Sequence, residues 1–215
     1  MNVIIAGEES GVERDAFASL GHNAWSCDLK PSRSPHGLHY RGSWHDIWWE
    51  SFDLGVMHPE CTHIAVSGAK HFPAKRADGR QQAAINEFLY LANAPVYASC
   101  VEQPVGIMST LYRKPEQIVQ PWMFGHWESK ATCYWLKNLP RLVPLYRTVG
   151  ECREALGLPA NAMPEQKVWK AAPTKDPEVR RQLRSASFSE IAEAMAAQWG
   201  MIHKVSNETI AVKLV

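Results

Sequence analysis

The 215-residue chain lacks several things, and each absence removes a class of protein. It has no apolar run of membrane-spanning length, so no transmembrane helix is expected. Its N-terminus, Met1 to Ala6, has no basic region and no long apolar core, and reads as a first strand rather than a secretion signal. It has no C-x-x-C pair. Its cysteines, at 27, 61, 100, 133 and 152, are odd in number and widely spaced, which argues against a disulfide framework and for reduced thiols in the cytoplasm. It has no internal repeat and no low-complexity tract. It also has almost no net charge: the formal +1 points to neither membrane nor nucleic acid as a whole. The one uneven stretch is Arg141 to Arg184, with nine Lys/Arg against five Asp/Glu, which is either a solvated surface or a basic contact face. Nine tryptophans serve equally as core, cleft lining or stacking surface.

The length suits one domain, or two at most. Phe52 to Met57 reads as a buried strand running into His58-Pro59-Glu60-Cys61-Thr62. Pro95 to Val101 reads as a second, ending in Glu102-Gln103-Pro104. The intervening Arg80 to Ala92 has helical periodicity, so the two strands are expected to be parallel through a crossover. That puts Cys61 and Glu102 at one sheet edge, where open α/β sheets bind ligands.

Ahead of this pair, Val3 to Ala6 is a strand, Gly7-Glu8-Glu9-Ser10-Gly11 a turn, and Val12 to Leu20 a helix with Val12, Ala16, Phe17 and Leu20 on its apolar face. The turn lacks the full G-x-G-x-x-G pattern. Its two acids disfavour a pyrophosphate and suit a ligand bearing an ammonium group or hydroxyls. Asn23 to Ser26 is a second strand ending in Cys27-Asp28, where an acid binds ribose hydroxyls or caps a turn. Lys30 to Tyr40 reads as loop. Asp46 either accepts from an adenine amino group, with Ile47 or a Trp against the ring, or caps a short helix over 47–50. Ile64 to Asp78 is a long connection of the kind that forms lids. Lys130 to Leu136 is a strand. Leu142 to Pro173 reads as an irregular insertion, Ser187 to Glu190 as a cap for a helix over Ile191 to Trp199, and the tail 201–215 as an edge strand.

A thiol and a carboxylate together suit covalent addition to a pyrimidine. The thiolate adds to carbon 6, the acid stabilises charge on the ring nitrogen, and carbon 5 becomes nucleophilic. With Pro59-Glu60-Cys61, Glu102-Gln103-Pro104, Lys130-Ala131-Thr132 and the Ile4 to Gly11 opening in this order, the chain resembles the cytosine-5 DNA methyltransferases, and more closely their short phage-type members with a reduced target-recognition region. The resemblance covers roughly 1–140 and 186–200. It implies an α/β Rossmann-like S-adenosylmethionine-dependent methyltransferase fold, with a mostly parallel central sheet and helices on both faces. It also implies a catalytic and cofactor-binding domain over 1–140, a small basic insertion over 141–185 and a C-terminal helix and tail over 186–215. Cys61 is the implied nucleophile and Glu102 the group that holds the cytosine. Gly7, Glu8, Ser10, Gly11, Asp28, Asp46, Ile47 and His58 would surround S-adenosylmethionine. Pro59, Thr62, Gln103, Pro104, Lys130 and Thr132 would face the substrate.

The chain departs from the family in three places. Glu60 separates Pro59 from Cys61, Gln103 stands for Asn, and about 45 residues replace a much larger recognition module. The expected partner is therefore DNA, single- or double-stranded and read with low specificity or through a partner subunit or homodimer; a free deoxycytidine nucleotide is the other substrate of the same chemistry. A nucleic-acid-binding protein with a degenerate methyltransferase fold is the reading without turnover. No metal is expected: His58, Cys61 and His63, with His71 nearby, do not make the four well-spaced ligands zinc usually takes, and H-x-E lacks the P-C-x-x-C of zinc deaminases.

Overall fold

A computed structural model describes residues 1–166, 176, 179 and 187–202. Among them seven strands form one sheet: β1 Asn2–Ala6, β2 Asn23–Asp28, β3 Leu38–Arg41, β4 Leu54–Met57, β5 Ala98–Pro104, β6 Gln117–Val119 and β7 Thr132–Lys137, in the order β3-β2-β1-β4-β5-β7-β6. All pairings among β1 to β5 are parallel, and β7 lies antiparallel between β5 and β6. This is the expected mostly parallel, Rossmann-like α/β sheet.

Alternation along β1 explains the two layers. Val3 and Ile5 point to one face, where they pack with Phe17 and with Ile191, Met195 and Trp199. These belong to α1 (Val12–Ser19) and α6 (Ser189–Trp199). Ile4 and Ala6 point to the other face, with Trp49, Phe88 and Leu91, the last two from α3 (Arg80–Ala92). Strands buried on both faces read as continuous apolar runs, and β4 is buried at all four positions. The remaining helices are short: α2 Phe72–Ala77, α4 Met108–Leu111 and α5 Val149–Ala155. No helix among the described residues is long and apolar enough to cross a membrane.

Several expectations are corrected. Residues 38–41 of the supposed loop pair with β2 as β3. The connection over 64–78 is not a bare loop: it folds as a 3-10 helix, Val66–His71, followed by α2. Glu102 to Pro104 lie inside β5 because β7 extends its pairing to Pro104↔Thr132. The stretch 47–50 has no helix starting at Ile47. Instead Trp44–Asp46 and Trp49–Ser51 are 3-10 turns, and Ser43, not Asp46, supplies the side-chain cap. The final helix starts after Phe188 with no side-chain cap. The insertion holds α5, capped by Thr148 accepting from the Glu151 N–H at 3.1 Å. The tail from 203, and most of the insertion after 166, lie outside the described residues.

In α1 the expected apolar face is partly wrong. Leu20 is exposed, whereas Glu13 and Arg14 are buried with Phe17. The Arg14 guanidinium donates to Ser26 Oγ and Ser32 Oγ at 3.1 Å, to the His36 carbonyl at 2.5 Å and to Asp15 Oδ1 at 2.8 Å. Gly11 and Gly37 make room for it: a Cβ on either would stand within 2.6 Å of the guanidinium, and both have left-handed φ, +80° and +91°. One fully buried side chain therefore ties residues 29–37 to the first helix. Arg14→Met is expected to release that segment. Limited trypsinolysis should then cut rapidly after Arg33, a bond that resists in the wild type.

Candidate active site

β4 and β5 deliver their next residues side by side, since Met57 is level with Val101 in the sheet. His58 and Glu102 therefore meet at the carboxyl edge. His58 Nδ1 lies 2.9 Å from Glu102 Oε2, and its Nε2 lies 2.8 Å from Oε2 of Glu13, the buried acid of α1. The three side chains are only 16%, 18% and 6% exposed, respectively. Burial alone would push the imidazole down, but the two carboxylates reverse this and hold it well above its usual value. Burial would likewise raise Glu102. The His58 bond, the Lys130 charge and the Thr132 hydroxyl instead hold it below the usual carboxylate range. Lys130, Thr132, Tyr134 and Phe188 complete a small cleft of about 30 Å³ around this bridge. The Lys130 ammonium lies 5.4 Å above the Phe188 ring. A larger cavity of about 370 Å³ lies at the other end of β5 and β7, between Ser99, Tyr112, Arg113 and Lys137, away from the edge where the parallel strands deliver side chains.

Cys61 sits three residues beyond His58, half-buried, and does not line this cleft. It is the one cysteine of the five that is not buried, and none of the five forms a disulfide. Its loop is held by carbonyls. Gln103 Nε2 donates to the Pro59 carbonyl at 2.5 Å, Lys75 Nζ to that of Thr62 at 2.5 Å and Gln81 Nε2 to that of His63 at 3.0 Å. The Cys61 carbonyl itself accepts from the Ile64 and Ala65 N–H groups. His63 Nδ1 is buried without a partner. Glu60 is exposed, so water screens its charge beside the thiol.

The expected site residues therefore divide. Glu102, Lys130 and Thr132 line one cleft. His58 is not oriented toward a cofactor: both ring nitrogens are taken by carboxylates. Glu8 is 3% exposed and turned onto the start of α1, accepting from the Glu13 and Arg14 N–H groups and the Ser10 hydroxyl. Burial and the Glu13 charge push it up to about 7. Ser10 in turn accepts from the Val12 N–H, so both residues brace the turn rather than face a ligand. Gln103 is 2% exposed and serves the loop, not a substrate. Pro59 is buried, Thr62 exposed and Pro104 half-buried within β5. Gly7 has φ +80°, and a Cβ there would fall 2.4 Å from the His58 carbonyl, so the turn and the His58 loop touch only because this residue is glycine. Asp28 closes β2 half-buried, with Oδ1 accepting from the Lys30 N–H. Asp46 is exposed and accepts from the Tyr40 hydroxyl at 3.2 Å, with Ile47 packed on the core beside it. Asp28 and Asp46 offer acceptors to a ligand rich in amino and hydroxyl donors, which is the chemistry of S-adenosylmethionine. Glu13, Lys75 and Gln81 escaped the sequence reading. The one sequence signal for Glu13 is its place four residues before Phe17, on the buried face of α1. Among the described residues no group of three His, Cys, Asp or Glu is arranged to hold a metal ion.

The bridge has a sign-defined pH signature. The raised His58 contributes stability fully present below about pH 6.5 and lost as pH rises through its folded value. The lowered Glu102 contributes stability present above about pH 4.3 and lost as pH falls through its folded value. Glu8, being raised, loses its contribution between about pH 4.3 and 7. Thermal melting of His58→Ala should therefore show a loss of about 3–5 kcal/mol near neutrality, because two buried carboxylates are left facing each other. The decline of stability above pH 7 should be shallower than in the wild type.

No family model matches the chain, and no curated protein matches it. Among solved structures it is similar to a crystal structure of a candidate DNA modification methyltransferase encoded within an E. coli prophage, with a TM-score of 0.43 and 14% identity. The match covers 63% of this chain and 46% of that one, so the chain spans less than half the length of that structure.

Proposed function

We propose that the chain transfers a methyl group to carbon 5 of cytosine in DNA, with Cys61 as nucleophile and Glu102 as the group that holds the base. The observation that carries this reading is a sheet edge bearing a half-buried thiol on a tied loop and, one strand over, a carboxylate kept anionic and oriented inside a cleft. An anionic, immobilised carboxylate accepts from the cytosine amino group, and Lys130 and Thr132 line the same cleft. On this reading the Cys61 loop, which does not line the cleft, would have to bring its thiol to the face of the ring.

Asp28, Asp46 and Ile47 would hold S-adenosylmethionine, with the Gly7 to Gly11 turn beneath it. When bound, that cofactor supplies an electrophilic methyl group. The chain's own part is to orient the base through Glu102, activate carbon 5 through the Cys61 bond and keep water from the site. The cleft must widen for a pyrimidine, since about 30 Å³ admits only a water-sized group. The short stretch between β7 and α6 favours a second substrate for the same chemistry, a free deoxycytidine nucleotide, which needs no flipping from a duplex.

Incubation with S-adenosylmethionine and a duplex carrying 5-fluorocytosine tests the proposal. Fluorine blocks the final elimination, so intact mass under denaturing conditions should show a protein–DNA adduct in the wild type and none in Cys61→Ala. An adduct with the fluorinated nucleotide alone would assign the free substrate. No adduct with either, in protein that binds the cofactor, would remove the covalent mechanism.

A further inference from the structure

Glu13, His58 and Glu102 form a chain of three side chains from three elements, with the imidazole in the middle. Each ring nitrogen faces a carboxylate oxygen, at 2.8 and 2.9 Å, and a carboxylate only accepts. Both nitrogens therefore carry hydrogen, and the ring is an imidazolium. The groups facing it or its carboxylates are Glu8 from the turn before α1, Glu13 from α1, Glu102 and the Cys100 thiol from β5, Lys130 before β7 and the Tyr134 hydroxyl from β7. Two carboxylates bond the ring directly, one at each nitrogen, so the positive charge is retained although the site is largely closed to water. The methyl-transfer reading leaves a need unmet here: a Glu102 carboxylate can accept from the amino group but has no proton to give to the ring nitrogen.

We propose that His58 is the proton donor that recharges Glu102, and that Glu13 is the residue that keeps His58 charged; this rests on the cytosine-5 reading. As the bond from Cys61 sulfur to carbon 6 forms, the carbon 5–carbon 6 pair moves to carbon 4–carbon 5, and the carbon 4–nitrogen 3 pair moves to nitrogen 3. That nitrogen takes one proton from Glu102, and Glu102 takes one from His58 Nδ1. His58 becomes neutral and remains hydrogen-bonded to Glu13 through Nε2–H. When the sulfur–carbon bond breaks, nitrogen 3 returns the proton by the same route. The hydrogen of carbon 5, replaced by methyl, leaves as the net proton of the reaction. Glu13 touches no substrate and acts through His58, which makes it a positioning residue.

Two readouts test this. The ring nitrogens of His58 in the free protein, assigned by comparison with His58→Gln in long-range nitrogen–proton spectra, should both be protonated at pH 7.5. Glu13→Gln, which keeps an oxygen acceptor for Nε2–H, should lower the pH at which that ring deprotonates. The rate of adduct formation with 5-fluorocytosine DNA should fall as pH rises through the His58 transition, and Glu13→Gln should shift this alkaline limb down by the same amount. His58→Gln should slow adduct formation by roughly 10²- to 10⁴-fold, the range for a lost general-acid step. A neutral His58 at pH 7.5, a limb that stays put while the ring titration moves, or an unchanged rate in His58→Gln would each overturn the relay. Adduct formation in the wild type with an unmoved limb removes the relay alone. Absence of any adduct in the wild type removes the cytosine-5 reading and the relay together.

Discussion

A single imidazolium held between two buried carboxylates organises the carboxyl edge of this sheet. His58 leaves β4, Glu102 belongs to β5 and Glu13 to α1, so the bridge fastens three elements at one point. In a site this closed, each charge depends on the others. Removing the cation strands two carboxylates, and removing either carboxylate weakens the hold on the cation. The orientation and charge of Glu102 follow from this, as does the close approach of the Gly7 turn to the His58 carbonyl, which no residue with a Cβ would permit.

Beyond the bridge, irregular segments are held by long polar side chains reaching carbonyls. Arg14 fixes residues 29–37, while Gln103, Lys75 and Gln81 fix the loop that carries Cys61. Loops have no ladder of their own to satisfy their backbone groups, so buried donors from neighbouring elements complete the hydrogen bonding. A substitution in α1, α2, α3 or β5 can therefore displace a functional loop without touching the site. Phe188, packed under Lys130 just before α6, and Ile191 within α6 close the cleft from the C-terminal segment.

The regular elements were legible because their signals are local. Arg80 to Ala92 repeats its apolar residues at helical spacing and folds as a helix over those same residues. Val3 to Ala6 and Leu54 to Met57 are runs buried on both faces, as central parallel strands are. Leu38 to Arg41 was not legible: an edge strand buries little, so its composition resembles loop. The grouping of Lys130 and Thr132 with Glu102 in one cleft follows from the antiparallel pairing of β7 with β5, and only the family resemblance pointed to those two residues in the sequence. Glu8 braces the turn before α1 and Gln103 the Cys61 loop, roles the sequence does not show because an acid or amide facing a ligand and one bracing a turn look alike there. The bridge at His58 was not legible for a related reason: its partner Glu13 lies 45 residues away and outside any recognised motif.

The sequence by itself determined the parallel α/β layout, the parallel crossover from β4 to β5 and the delivery of His58, Cys61 and Glu102 to one edge. These depend on hydrophobic period and connection length, which are properties of neighbouring residues. Only the tertiary structure decided which of those side chains meet. Hydrogen bonds between residues tens of positions apart are set by sheet register and by which polar groups lose water on folding. Met57 level with Val101 places His58 beside Glu102, and burial of α1 brings Glu13 to its other nitrogen. The charge state of the edge arises from that meeting, because a carboxylate or imidazole has its ordinary affinity for protons until other charges and the loss of solvent change it.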